Sequence, residues 1–218
     1  MKIELLKSFD QVPYFTIAGF KQILGLNRKG DQYAVELIHH WIEAGHVVAL
    51  KRGVYVTRRF FEGHVNEPNF AAVISAILVP QSYLSLEYVL QQEGVLTEAT
   101  YPITAVTTKN TRTIRNTIGT YDYRHIKAAL YKGFYREVYF GVNIHRASIA
   151  KALFDYFYLR PLPRSLRTHD LSLAEDLRLN LDDLATEYRN EFEYYVQVSA
   201  TKKMSFILEN LQKTIWQP

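Results

Sequence analysis

Residues Asp31–Thr57 read DQYAVELIHHWIEAGHVVALKRGVYVT. In the first half Ala34, Leu37, Ile38, Trp41 and Ile42 recur at the spacing of one helix face, which predicts an amphipathic helix with a single apolar stripe. Asp31 is placed to cap its start and Gly45 to end it. In the second half, Val47–Leu50 and Val54–Thr57 are β-prone runs joined by Lys51-Arg52-Gly53. That pattern predicts a hairpin whose tip presents two cations. A helix followed at once by a basic-tipped hairpin is the back half of a winged helix-turn-helix. The helix would enter the major groove, and the hairpin would reach a neighbouring phosphate or the minor groove.

The residues upstream supply the front half. Ile3, Leu5, Leu6 and Phe9 predict a short helix ended before Pro13. Thr16 precedes Ile17, Phe20, Ile23 and Leu24, which have helical spacing, so Thr16 is the expected N-cap. Asn27-Arg28-Lys29-Gly30 is a polar turn. Residues 1–60 are therefore expected to form a DNA-binding domain. Arg28, Lys29, Gln32 and Tyr33 are its expected groove contacts, because the first turn of a recognition helix meets base edges. Lys51 and Arg52 are the expected wing contacts, and Arg58 and Arg59 extend the patch. Glu36 and Glu43 turn the later part of the helix toward water, since carboxylates repel phosphate.

Downstream, Phe60–Asn69 carries Gly63, Asn66 and Pro68 and reads as a linker. A second domain is expected over 69–218. Phe70–Leu78 and Ser82–Gln92 read as helices, the second capped at Ser85. Residues 103–126 alternate threonine, isoleucine and tyrosine and predict three strands, taken as antiparallel, with a fourth over 134–142. Ala147–Leu159 is a strongly apolar helix with Lys151 and Asp155 as an i,i+4 pair. The tail from Leu171 reads as further helices, with Asp182-Asp183 as a cap. The expected fold class is α+β: an N-terminal winged helix-turn-helix, then a mixed domain with a small, mostly antiparallel sheet flanked by helices and a helical tail.

Composition narrows the chemistry. The chain has 218 residues, 48% of them hydrophobic and 22% charged, enough to build two cores rather than a disordered chain. The absence of cysteine excludes disulfides, zinc–thiolate sites and cysteine nucleophiles. No apolar run reaches the roughly 18 residues needed to span a bilayer, and the N-terminus lacks a signal-peptide core. A cytoplasmic protein without a membrane partner is expected. The net charge of +4 is compatible with nucleic acid. The seven histidines have no metal-ligand spacing, and no phosphate loop, nucleophile elbow or kinase signature is visible. Neither a cofactor nor catalysis is therefore expected. Glu87, Asp122 and Arg124 loosely echo the acid and Asp-x-Lys of restriction-type nucleases. Arginine stands at the lysine position and cannot serve as a base, so structural ion pairs are the plainer reading.

Four stretches together resemble the AbiEi antitoxin family of type IV toxin–antitoxin systems. They are FTIAGFKQILGL (Phe15–Leu26), LKRGVYV (Leu50–Val56), SYLSLEYVLQQEGVL (Ser82–Leu96) with ITAVTTKNTR (Ile103–Arg112) and GTYDYRHI (Gly119–Ile126), and ASIAKALFDYFYL (Ala147–Leu159). The resemblance implies an operon repressor acting through a winged helix on double-stranded operator DNA, with two copies, as a homodimer or cooperative monomers, covering inverted repeats. It also implies a second domain that counters a nucleotidyltransferase-like toxin. The family's lysine and the later aspartate are kept as Lys151 and Asp155, while its proline and glutamate at the start of that helix are absent. Lys151, with Arg124, is the expected neutralising surface. Two other readings are a metal-dependent nuclease targeted by a winged helix, and a plain regulator whose second domain binds a ligand or a protein.

Overall fold

The computed structural model describes residues 3–25, 31–98, 102–162 and 172–216. The chain divides into two compact units. The first runs to Pro80 and takes in Ile114–Thr120 and Val138–Asn143; the second comprises Gln81–Thr113, Tyr121–Glu137 and Ile144 onward. The fold is mixed α and β, with one three-stranded antiparallel sheet and one six-stranded mixed sheet.

The first unit opens with a 3-10 helix, Ile3–Phe9, followed by β1 (Phe15–Thr16) and α1 (Ile17–Ile23). The Thr16 hydroxyl accepts the Gly19 N–H at 3.0 Å, the expected cap. Next come α2 (Asp31–Glu43), β2 (Val47–Lys51) and β3 (Val54–Thr57). Strand order is β1-β3-β2, with Phe15 opposite Tyr55 and Val48 opposite Val56. Gly53 turns the hairpin at φ +76°, a region that favours glycine. The α2 stripe behaves as its spacing requires. Ala34, Ile38 and Trp41 are buried with Phe9, Phe15, Phe20 and Val47, and Leu37 and Ile42 pack at the margin. Full burial of a side chain such as Ile38 contributes about 1.5–3 kcal/mol relative to exposure. Phe20 meets the Trp41 ring edge-on at 5.2 Å.

The segment Phe60–Asn69, expected as a linker or loop, is helical up to His64, and only residues 65–69 form turns. Residues Arg58–His64 form α3, capped by the Thr57 hydroxyl, which accepts the Phe60 N–H at 3.2 Å. Phe60 is buried, stacked on His64 at 4.0 Å and edge-on to Phe140 at 5.2 Å. These contacts outweigh the polar and glycine content that made the segment read as a loop. Helix α4 (Phe70–Leu78) follows in the same unit and is apolar almost all round. The first crossing from one unit to the other along the chain therefore falls after Pro80, not between 60 and 69.

After Pro80 come β4 (Ser82–Leu84), α5 (Glu87–Gln92), β5 (Ile103–Thr107), β6 (Arg112–Arg115), β7 (Thr120–His125), β8 (Phe134–Tyr139) and β9 (Val142–Ala147), which belong to the second unit except where Ile114–Thr120 and Val138–Asn143 count with the first. After them come α6 (Ile149–Leu159), α7 (Leu173–Asp176), α8 (Thr186–Ser199) and α9 (Lys202–Thr214). The sheet order is β6-β7-β5-β4-β9-β8. β4 runs antiparallel to β5 but parallel to β9, and β5 runs parallel to β7 with Thr104 opposite Asp122. The sheet is thus mixed where antiparallel pairing was expected. Alternation assigns residues to faces and carries no information on strand direction. Ser82–Leu84, expected to be helical, is a central strand with all three residues buried, so it has no alternation to read. Ser148 caps α6 by accepting the Lys151 N–H at 3.0 Å. The expected Asp182-Asp183 cap is not used, because α8 starts only at Thr186. Phe192, Tyr195, Met204, Ile207 and Leu211 of α8 and α9 are buried. Among the described residues no helix is long and apolar enough to cross a membrane.

Candidate functional site

In the first unit, Gln32, Tyr33, Glu36, His39, His40 and Glu43 form the exposed side of α2. The Gln32 amide donates to the Glu36 carboxylate at 3.0 Å. Arg28 and Lys29 lie outside the described residues. Arg52 is exposed at the hairpin tip. Lys51 departs from expectation. Its Nζ donates to the carbonyls of Ile77 and Leu78, both at 2.8 Å, at the C-terminal end of α4. The strand register shifts between Ala49 and Lys51, and such an irregularity re-aims a side chain. An ammonium there satisfies carbonyls that the helix leaves open and faces the negative end of its dipole. Burial lowers the Lys51 pKa from its ordinary value. Arg58 donates to the Gly45 carbonyl at 3.1 Å, while Arg59 stays largely exposed, 3.6 Å from Asp10. Arg52, Arg58 and Arg59 thus remain exposed, Arg58 with one backbone contact, whereas Lys51 is turned into the unit.

The second unit carries a basic surface that motif-by-motif reading missed. Between Glu98 and Glu137 the chain has seven Lys or Arg residues and one acid, Asp122. Lys109, Arg112, Arg124, His125 and Lys127 are all exposed. The parallel strands β5 and β7 end side by side, with Thr107 opposite His125. The following loop is tied to β7, because the His125 N–H donates to the Thr111 hydroxyl at 3.0 Å and the His125 ring lies 3.1 Å from the Lys109 carbonyl. A running charge count along the sequence would have found this cluster. Its one acid is neutralised. Asp122 accepts from the Thr113 hydroxyl at 2.9 Å with one oxygen and pairs with Arg124 at 2.8 Å with the other.

Lys151, expected on a surface, is fully buried. So is Asp155, to which its ammonium is ion-paired and hydrogen-bonded. The other Asp155 oxygen accepts from the Tyr83 and Ser85 hydroxyls, both at 2.8 Å. The Lys151 ammonium lies over the rings of Phe154 at 4.9 Å, Tyr195 at 5.2 Å and Tyr83 at 5.5 Å. Residues Ala150 to Phe157 are all buried, so the side of α6 away from the apolar stripe is covered too. Burial raises the Asp155 carboxyl and lowers the Lys151 ammonium from their ordinary values, and the ion pair opposes both shifts. Lys151 therefore ties β4, α6 and α8 together and is closed to a partner.

Adjoining the basic surface, with which it shares Asp122 and Arg124, an open cavity of about 480 Å³ brings these two residues and Glu87 together with Tyr156 and Arg160. The nuclease-like residues thus converge, but both Asp122 oxygens are engaged, and no group of three or more metal-ligating side chains occurs among the described residues. No family model matches the chain, and comparison with curated proteins returns no match.

Proposed function

We propose that this chain is a DNA-binding transcriptional autorepressor serving as the antitoxin of a type IV toxin–antitoxin system, countering a nucleotidyltransferase-like toxin. In this reading the first unit is a winged helix, with α2 as its recognition helix and β2–β3 as its wing. The observation that carries it is the arrangement of α1, α2 and the antiparallel β1-β3-β2 sheet, with the stripe of α2 buried and its Gln32–Glu43 side exposed. Arg52 is its wing contact, and Gln32 and Tyr33 are its groove contacts. The basic surface of the second unit would add sequence-independent phosphate attraction. The antitoxin part rests on the four-stretch resemblance to the AbiEi family, and the chain has no catalytic role in it.

The test has two arms. Fluorescence anisotropy on the duplex upstream of the chain's own gene, from about 50 to 200 mM salt, should give tighter binding than a scrambled duplex at every salt concentration. Co-expression with a neighbouring nucleotidyltransferase-like gene should restore growth. Equal binding to both duplexes removes the repressor half, and unrelieved toxicity removes the antitoxin half. The convergence of Glu87 and Asp122 favours the nuclease as the second reading, and magnesium-dependent cleavage of the same duplex would decide for it.

A further inference from the structure

We propose that the open cavity of the second unit binds a nucleoside monophosphate. Its size lies within the range of about 300–1,000 Å³ usual for small-ligand sites. Its lining separates into three chemical parts. Arg124 and Arg160 supply cationic donors. Arg124 commits one terminal nitrogen to Asp122, and Arg160 commits one to the Tyr156 hydroxyl, so each guanidinium keeps further N–H groups for a phosphate. Glu87 is half-buried, and its carboxylate has no hydrogen-bond or ion-pair partner among the described residues. A carboxylate at the wall of an open cavity offers acceptor oxygens to an N–H or O–H donor, as on a base or a ribose. Pro102, Leu159 and Pro161 offer apolar surface for a flat ring.

The wall itself is strained and held in place. Leu86, which lines the cavity immediately before Glu87, sits at φ +60° and ψ −143°, a conformation that side-chain-bearing residues rarely adopt. It persists because its neighbours are fixed. The Ser85 hydroxyl donates to Asp155, the Thr104 hydroxyl donates to the Ser85 carbonyl, and the Tyr88 N–H donates back to the Thr104 hydroxyl at 3.0 Å. The buried Lys151–Asp155 pair thereby anchors the turn that sets Glu87 in the cavity wall. Strain that is over-determined in this way is concentrated at ligand sites.

Thermal unfolding of the full chain with each of the four ribonucleoside monophosphates tests this, with inorganic phosphate and the free nucleosides as controls. At a hundredfold excess over Kd, at least one nucleotide should raise the melting temperature by about 5–10 °C. The rise should disappear in Arg160→Gln and fall in Glu87→Gln, and it should persist in Lys109→Ala/Lys127→Ala, which weakens the basic surface outside the cavity. Amide chemical-shift changes on titrating native protein should centre on Leu86, Glu87, Thr104, Arg124 and Tyr156, a readout independent of any variant's folding. A rise matched by inorganic phosphate, a rise lost only in the Lys109/Lys127 variant, shifts centred elsewhere, or no response to any nucleotide each overturns the proposal. None of these outcomes bears on operator binding, which is read on duplex DNA.

Discussion

Two neighbouring cations on one hairpin have different fates, and a pair of substitutions separates them. Arg52 is exposed, so Arg52→Ala should leave stability nearly unchanged while flattening the slope of log affinity against log salt by about 0.9, one phosphate contact. Lys51 donates to two helix-end carbonyls, so Lys51→Ala should leave that slope alone and lower the stability of the first unit by about 1–3 kcal/mol. Urea unfolding and salt-series anisotropy on both variants give the answer, and a Lys51→Ala slope as flat as that of Arg52→Ala would return Lys51 to the DNA. Gly133 is a second sharp position. It has φ +80°, and a Cβ there would overlap the Tyr195 hydroxyl and press on the Lys151 stem. Gly133→Ala should therefore exceed the roughly 1–2 kcal/mol of backbone strain alone. A loss within that range would mean that Tyr195 swings aside, with little consequence for the packing above Lys151.

Among the elements, α6 carries the heaviest electrostatic load. Lys151→Met leaves Asp155 buried without its cation and should destabilise the chain by about 3–5 kcal/mol, whereas Lys151→Met/Asp155→Leu should recover much of that. The pH dependence has a definite sign. Unfolded, Asp155 ionises near its ordinary 3.8; folded, burial makes it hold its proton to higher pH. Its contribution to stability is complete below the unfolded value and declines as pH rises through the folded one. Lys151 acts at the other end. Its folded value lies below the ordinary 10.5, so stability recovers as pH rises through that lowered value. The stability advantage of the wild type over the double variant should accordingly shrink as pH rises above 3.8 toward the raised folded value of Asp155; growth over that rise would reverse the assigned direction. Elements whose determinants are local were legible in the sequence. The α2 stripe, the Thr16 cap and the β2–β3 hairpin all followed from spacing and side-chain type. α3 was not legible, because what buries Phe60 includes Phe140, brought back from far along the chain. β4 was not legible because a strand buried on both faces shows no period. Lys151 was misread because a helical wheel assumes a solvent side that α6 lacks. The basic cluster of the second unit was legible by charge count alone, while the Lys51 turn-in was not, because nothing local announces the register shift.

At the scale of the molecule, the two units do not divide the chain at one point. Asn116 donates to the Leu50 carbonyl at 3.0 Å, and Phe140 packs on Phe60 and His64, so two later segments complete the first unit. A fragment ending at Arg59 lacks the carbonyl partners of Lys51 and most of α3, and it should show no cooperative melting transition. A fragment ending at Pro80 keeps α3 and α4 and should melt cooperatively, but below the first unit in the full chain. Far-UV circular dichroism on both fragments checks this, and equal melting temperatures for the Pro80 fragment and the full chain would remove the later segments from the account. These segments also bear on synthesis. A chain leaves the ribosome N-terminus first, at about 5–20 residues per second. The Leu50 carbonyl and the Phe60 ring thus wait, on the order of several seconds, for partners that are translated only with the strands of the second unit. A nascent or prematurely ended chain carries the hairpin and α2 without their full support, so a fully supported first unit becomes a mark of a translated message rather than of one merely begun.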